Sequence, residues 1–224
     1  MITLYIANKN YSSWSLRPWL LLRELGIPFE EKLMPFHGSA FTGFSPSGKV
    51  PCLVDGAVTV WDSLAIAEYL AEAHPQVWPA DRLARAFARC AAAEMHSGFM
   101  ALRTQCGMNC GIRVELRRID EALQADLARL NALWNDGLQR FGGPFLAGAK
   151  FTAADAFYAP VAFRIQTYAP PLDDQANAYA QRLLVLPPMR EWYGDALRET
   201  WRHAAHENEV AEWGTVTEDL RAKA

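Results

Sequence analysis

The sequence predicts an α/β domain with a small mixed sheet over residues 1–76, followed by an all-α domain over residues 83–224. Three observations support this prediction. Short β-prone and helical segments alternate in the order β-α-β-loop-β-β-α up to residue 76, and the strand signal then disappears. In the rest of the chain, apolar residues recur at steps of three and four, which is typical of amphipathic helices.

Turn residues separate the elements of the first domain. Gly26 and Pro28 end the first helix, and Asp55-Gly56 joins two short strands as a hairpin. In chain order the predicted elements are a strand at 2–7, a helix at 15–25, an extended segment at 29–34, a loop at 36–49, strands at 51–54 and 58–61, and a helix at 63–73.

The second domain is predicted to contain helices alone. Residues 81–104 are rich in alanine, and a long amphipathic helix is expected from Leu116 to Phe141, ended by a Gly-Gly-Pro sequence. Thr152 and Asp155 match a capping box, in which each side chain accepts from the other residue's backbone amide at a helix start. The remainder, from about residue 175 onward, is interpreted as further helices.

Composition and charge exclude several classes of function. The chain has 22 Lys and Arg against 25 Asp and Glu, with no basic cluster, so nucleic acid is not expected as a partner. No apolar run approaches the roughly 20 residues of a membrane span, and we expect a cytoplasmic protein. The four cysteines form neither a disulfide framework nor a metal motif. His203 and His206 lack a third ligand and are interpreted as a solvated helix face, so no metal site is predicted.

Candidate chemistry lies in three places in the first domain. The turn at residues 11–15 carries serines where a helix begins, and the free amides there favour an anion, although one serine can equally be an ordinary N-cap. Pro51 opens a strand and is either cis or an ordinary trans proline at a sheet edge. Asp62 and Ser63 begin a helix and can cap it, or instead bind an ammonium and a carboxylate.

These features occur in an order that is more specific than any one of them. The chain has a serine-bearing first turn, then SPSGKVPCLVDG at residues 45–56, WDSLAIAEYL at 61–70 and GAKFTAADAF at 148–157. Over essentially its whole length it resembles the cytosolic glutathione transferases. The resemblance implies a thioredoxin-like N-terminal domain carrying the glutathione site, and a helical C-terminal domain lining the electrophile pocket.

The turn NYSSWS is similar to the serine-rich turn of the zeta class and related bacterial enzymes, whose first serine faces the glutathione sulfur. This resemblance makes Ser12 the catalytic position, with Ser13 and Ser15 as alternatives. Trp14 stands where the zeta-class turn has cysteine, which counts against zeta-type isomerase chemistry. Thr152 and Asp155 match the family's capping box, a folding device, and are left out of the site.

The resemblance also implies glutathione as co-substrate. Two helix N-termini, one lysine and one aspartate would balance the two carboxylates and the ammonium group of glutathione. The binding residues that it implies are the backbone of Val50 for the cysteinyl unit, the family's cis-proline Pro51, Asp62 and Ser63 for the γ-glutamyl end, and Lys49 and His37 for the glycyl carboxylate.

The expected function is a transferase that activates the glutathione thiol as a thiolate for attack on a small hydrophobic electrophile, with isomerase or peroxidase side activity left open. A hydroxyl at a helix N-terminus stabilises a thiolate without needing a base. The interdomain pocket is expected to draw its lining from Tyr11, Trp14, Met95, Phe99, Met100 and Arg103, although a stripe of this kind also fits a core. A buried Arg103 would suit an acidic electrophile, and the competing interpretation, which is favoured, is a surface salt bridge.

Two other functions compete with this one. A non-catalytic module of the same fold would bind glutathione, a hydrophobic ligand or another protein. Such a module does not need the complete set of site residues, and their presence therefore counts against it: Ser12, Val50, Pro51, Asp62 and Ser63. A thiol-disulfide oxidoreductase would need a cysteine in the first turn, and none lies between Asn8 and Trp19. The resemblance further implies a homodimer.

Overall fold

The computed structural model describes residues 1–36 and 41–223. Its first 73 residues contain a sheet and two long helices, close to the elements predicted. These elements are β1 (Ile2–Ile6), α1 (Ser13–Glu24), β2 (Phe29–Leu33), β3 (Cys52–Asp55), β4 (Val58–Val60) and α2 (Ser63–Ala73).

The four strands form one mixed sheet in the order β2-β1-β3-β4. β1 runs parallel to β2 and antiparallel to β3, and β3 pairs with β4 as an antiparallel hairpin. Gly56 in the hairpin turn has a φ of 58°, a conformation that glycine adopts without a steric penalty. Leu4, Ile6 and Leu53 are fully buried, so the two central strands of the sheet contribute to the core.

Helices make up most of the remaining chain, as predicted. A short 3₁₀ helix (Pro75–Val77) precedes them, and they are α3 (Arg82–Ser97), α4 (Met100–Gln105), α5 (Glu121–Phe141), α6 (Ala153–Tyr168), α7 (Asp174–Leu184), α8 (Pro187–Arg198) and α9 (Ala204–Trp213). α6 is buried along almost all of its length and packs against α1, α3 and α7. One hydrophobic cluster therefore joins the sheet region to the helical region.

The prediction of helices alone in the second domain was wrong in one respect. β5 (Ile112–Leu116) and β6 (Gly214–Asp219) form a two-stranded antiparallel sheet. The long helix α5 accordingly begins at Glu121, because the Asp120 side chain accepts from Leu123 N and caps it there. Leu116 continues the helical spacing of apolar residues by coincidence, since it pairs with Gly214 as a strand residue.

The capping box predicted at Thr152 and Asp155 is present at the start of α6. Asp155 is fully buried and accepts from Thr152 N at 2.9 Å, from Leu146 N at 3.0 Å and from the Tyr179 hydroxyl at 2.8 Å. Burial raises the pKa of this carboxyl group by more than the hydrogen bonds lower it, so the pKa is raised overall. The carboxyl group thus ties the start of α6 to the preceding loop and to α7.

In the described part of the chain, no helix combines the length and the apolar character that crossing a bilayer requires.

Candidate active site

Two cavities meet at the serine turn, between the sheet region and the helices. The serine cavity, of about 340 Å³, is lined by Ser12, Ser13 and residues of α4, α6 and α9. The aspartate cavity, of about 370 Å³, is lined by Pro51, Asp62 and His96 among others. Three residues, Trp14, Lys49 and Val50, line both cavities. A ligand in extended conformation can therefore reach from one cavity into the other along this shared wall.

The three predicted serines occupy different places in the turn. Ser12 is at the N-cap position of α1, but its side chain forms no capping hydrogen bond. Its hydroxyl instead donates to Ser15 Oγ at 2.7 Å, and Ser15 Oγ also accepts from Ala7 N at 3.2 Å. Ser15 is fully buried and lines neither cavity, whereas Ser12 and Ser13 line the serine cavity. Ser15 thus lies behind Ser12 as its hydrogen-bond partner.

Backbone groups at the shared wall have no partner in the described part of the chain. The amides of Trp14 and Ser15, in the first turn of α1, have no acceptor among residues 1–36 and 41–223. The N–H and C=O of Val50 likewise lack a partner there, because the pairing of β3 begins at Cys52. Peptide groups that are free in this way can hydrogen-bond an extended ligand or stabilise an anion.

The other predicted binding residues are placed as follows. The Val50-Pro51 bond is cis, and Lys49 forms no ion pair within the described residues. Asp62 caps α2 by accepting from Leu64 N at 2.9 Å, and its side chain is half exposed in the aspartate cavity. The hydroxyl of Ser63 is buried and has no partner among the described residues. His37 lies outside the described residues.

Tyr11 lines the serine cavity, but its hydroxyl is already bonded. It donates to Glu207 at 2.6 Å and accepts from Arg221 at 3.2 Å, and its ring stacks on His206. Burial raises the pKa of the phenol, and the hydrogen bond to Glu207 raises it further. The phenol therefore stays protonated at neutral pH and is not placed to donate to a ligand in the cavity.

The same turn is held by residues that come late in the sequence. Glu199 accepts from the backbone amides of Lys9 and Asn10, at 2.6 Å and 3.2 Å. The indole of Trp192 donates to the Lys9 carbonyl at 2.9 Å. The position of the serines consequently depends on α8 and on the residues that follow it.

Of the predicted pocket residues, only Tyr11, Trp14 and Arg103 line the serine cavity. Met95 and Phe99 are buried in the core, and Met100 is exposed. Arg103 has no surface salt bridge within the described residues. It donates to the carbonyls of Met95 and Gly98 instead.

Among the wall residues that sequence reasoning missed are three with titratable or charged side chains, namely Arg164, His206 and Glu209. Arg164 is the only charge between residues 156 and 165 of a helix that is otherwise apolar there, and a lone charge in such a run was the available signal. His206 belongs to the helix face that was predicted to be solvated, but it is half-buried against Tyr11.

Comparison with known families identifies the chain. The model described as "Glutathione S-transferase, N-terminal domain" matches residues 11–73, and the model described as "Glutathione S-transferase, C-terminal domain" matches residues 112–195. The chain belongs to the glutathione S-transferase family.

Among its relatives, a glutathione S-transferase zeta class protein of Euphorbia esula is 31% identical, and the match covers 66% of this chain and 70% of that protein. The glutathione S-transferase-like protein OpS6 of Beauveria bassiana is 26% identical over 77% of this chain and 83% of that protein. A glutathione transferase homolog from Burkholderia GL BGR1, solved with bound glutathione, superposes with a TM-score of 0.66 at 26% identity, covering 87% of this chain and 97% of that one.

In this glutathione S-transferase, Asp62 also contacts the helical region. His96 on α3 has its Nε2 atom 3.3 Å from Asp62 Oδ2, and the edge of its ring meets Trp14. The pKa of the imidazole is lowered overall. Burial is the main cause, the charge of Asp62 opposes it, and the charges of Arg17 and Arg103 add to it. The neutral form is thus favoured near pH 7.

The cysteines of this glutathione S-transferase lie away from the serine turn. Cys52, Cys106 and Cys110 are buried, Cys90 is exposed on α3, and none lines either cavity. Burial raises the pKa of the Cys106 thiol to about 12 and also raises that of Cys110. Both thiols are therefore protonated at neutral pH and unsuited to disulfide exchange.

No group of three or more His, Cys, Asp or Glu side chains within residues 1–36 and 41–223 is arranged to hold a metal ion.

Proposed function

We propose that the protein is a glutathione transferase that takes glutathione as co-substrate and holds its thiol as a thiolate for attack on a small electrophile. The observation that carries this proposal is the position of Ser12. Ser12 lies on the cavity wall at the start of α1, in the same cavity as Val50, whose backbone is unpaired among the described residues. The glutathione bound to the Burkholderia homolog supports the choice of co-substrate.

The charges along the two cavities fit a tripeptide with two carboxylates and one ammonium group. In this proposal Val50 pairs through its backbone with the cysteinyl unit, and Asp62 accepts from the γ-glutamyl ammonium in the aspartate cavity. Lys49, which has no ion pair among the described residues, binds the glycyl carboxylate together with His37. The Ser63 hydroxyl, buried and without a partner among those residues, is proposed to donate to the γ-glutamyl carboxylate after a change of rotamer.

The proposed mechanism stabilises the thiolate by hydrogen bonds. The Ser12 hydroxyl turns from Ser15 Oγ to the sulfur, and the free amide of Trp14 adds the favourable field of a helix N-terminus. A free thiol has a pKa of about 8.5, and each unit of depression corresponds to about 1.4 kcal/mol of preferential thiolate stabilisation. The thiol proton goes to solvent. The sulfur then forms a bond to the electrophilic carbon, while the bond from that carbon to its leaving group breaks and the leaving group departs with the electron pair.

A spectroscopic pH titration of glutathione bound to the wild-type protein tests this function. We expect the bound thiol to have a pKa at least about one unit below that of free glutathione, because hydrogen bonds to the charged form favour it. Binding without any depression would favour the non-catalytic module. Failure to bind glutathione would contradict the transferase and would leave a non-catalytic module that binds a hydrophobic ligand or another protein.

We also propose a cytoplasmic homodimer. Support comes from large apolar side chains outside both cavities that remain exposed on the single chain, including Leu83 and Met100. Light scattering at working concentration should give twice the mass of the 25.1 kDa chain. A mass equal to that of one chain would contradict the dimer, and recovery outside the soluble fraction of broken cells would contradict the location.

A further inference from the structure

At one end of the serine cavity, here called its floor, Arg103 and Arg164 line the wall together with Trp14, and the fully buried Arg17 packs against the Trp14 ring. The guanidinium carbon of Arg17 is 4.1 Å from the centroid of the Trp14 ring, and that of Arg103 is 4.8 Å from it. Arg164, on α6, lines the same cavity as Arg103 and Trp14. The three cations come from α1, α4 and α6, so the fold brings them together from distant parts of the sequence.

Arg164 is buried and only partly bonded. Its Nε donates to the Cys106 carbonyl at 2.8 Å, but its Nη1 has no partner among the described residues, although only 4% of the residue surface is exposed. A buried guanidinium group without a partner is costly, because it has lost water and gained no acceptor. The Nη2 atom of Arg164 also has no partner among the described residues and, unlike Nη1, is not fully buried. Since Arg164 lines the cavity, an acceptor held there can hydrogen-bond this guanidinium group.

No carboxylate balances these cations in the described part of the chain. Within it, Arg17, Arg103 and Arg164 have no Asp or Glu oxygen within the 4.0 Å of an ion pair. Glu209 also lines the cavity, but it pairs with neither Arg103 nor Arg164. Burial, and next the charge of Arg103, lower the pKa of Arg164 to about 10, so the guanidinium remains charged at neutral pH. The floor of the cavity therefore carries excess positive charge.

We propose that the electrophile taken by the serine cavity carries a carboxylate, which accepts hydrogen bonds from the guanidinium groups of Arg164 and Arg103. This inference rests on the proposed function and gives its substrate class. A carboxylate matches the planar donor arrangement of a guanidinium group. The other walls include Trp14, Met108 and Phe36, which suit an apolar body. The bound carboxylate would leave the reactive carbon facing Ser12.

A matched pair of probes tests the substrate class by kinetics. A chlorodinitrobenzoate and the corresponding primary amide both react by aromatic substitution, in which sulfur bonds to the ring carbon, chloride leaves and the thiol proton goes to solvent. After division by the uncatalysed rates, we expect kcat/KM to be about tenfold or more higher for the benzoate. Arg164→Gln should remove most of this preference and change the rate with the amide less than about threefold.

Control variants separate this role from a general effect of charge or folding. Arg89→Gln removes an exposed arginine of α3 that pairs with Glu68 and lines neither cavity, so it should leave the preference unchanged. Arg103→Gln alters a half-buried residue and provides a second test if Arg164→Gln does not fold. Equal normalised rates with the two probes in wild type would overturn the proposal.

Calorimetry gives a second readout that does not need activity. Dinitrobenzoate and dinitrobenzamide, which lack the leaving chloride, are titrated into protein with and without S-methylglutathione. We expect the benzoate to bind about tenfold more tightly to wild type and to lose this advantage in Arg164→Gln. The proposal would be overturned if wild type bound dinitrobenzoate and dinitrobenzamide with equal affinity. It would also be overturned if Arg164→Gln weakened only the binding of S-methylglutathione. If benzoate is preferred but the glutathione thiol is not activated, the proposed function alone fails.

Discussion

Replacing Ser12 with alanine is expected to lower turnover at neutral pH about 10²-fold, while the affinity for glutathione changes by no more than a few fold. In the proposed mechanism the hydroxyl bonds to the charged sulfur and contributes little to holding the rest of the tripeptide. The pKa of the bound thiol should rise towards that of free glutathione. Steady-state kinetics together with the thiol titration of Ser12→Ala measure the two effects separately.

Two neighbouring serines serve as matched controls. Ser13→Ala changes a side chain on the same cavity wall and should have a small effect. Ser15→Ala removes the buried oxygen that is 2.7 Å from Ser12 Oγ, so it should disturb the position of Ser12 and have an intermediate effect. If Ser12→Ala retains wild-type turnover and either control loses it, the catalytic hydroxyl belongs to that other serine.

The largest effect on stability is expected from Asp155→Ala, at about 3–5 kcal/mol of the free energy of unfolding. The substitution leaves the amides of Leu146 and Thr152 and the hydroxyl of Tyr179 without their acceptor, in a part of the core that water does not reach. Urea unfolding followed by tryptophan fluorescence measures this loss. Activity should persist wherever the variant remains folded, because Asp155 lines neither cavity.

Asp173 offers a matched control for Asp155. It also caps a helix, accepting from Ala176 N at 2.8 Å, but its side chain is exposed. Asp173→Ala should therefore lower the free energy of unfolding by only about 1 kcal/mol. Equal losses in the two variants would show that burial does not account for the role of Asp155.

The parts of the fold that depend on residues close together in the sequence could be predicted from the sequence. The hairpin turn at Asp55-Gly56 and the helix Ser63–Ala73 follow from local signals, and both are confirmed. The pairing of β5 with β6 joins segments about a hundred residues apart, such as Leu116 with Gly214. Periodicity in one segment carries no information about such a partner, so the helical spacing from Leu116 onward was misleading.

The candidate site likewise contains residues that are close together in the sequence and one that only the packing of helices brings to the cavity. Lys49, Val50, Pro51 and Asp62 follow one another closely in the sequence, and the structure brings them to one pair of adjoining cavities. Arg164 reaches the serine cavity only because α6 packs against α1. A lone charge in an apolar run marks Arg164 as unusual, but only the three-dimensional packing shows which cavity it lines.

The bonds from Glu199 and Trp192 to the first turn have a consequence for how the chain is made. Lys9 leaves the ribosome long before Glu199 is synthesised, and a contact across 190 positions of sequence forms only after a large loop has closed. The sheet region can begin to fold during translation, whereas the serine turn takes its final form only after α8 has emerged. Catalytic competence should therefore appear late in biogenesis, after most of the polypeptide is already compact.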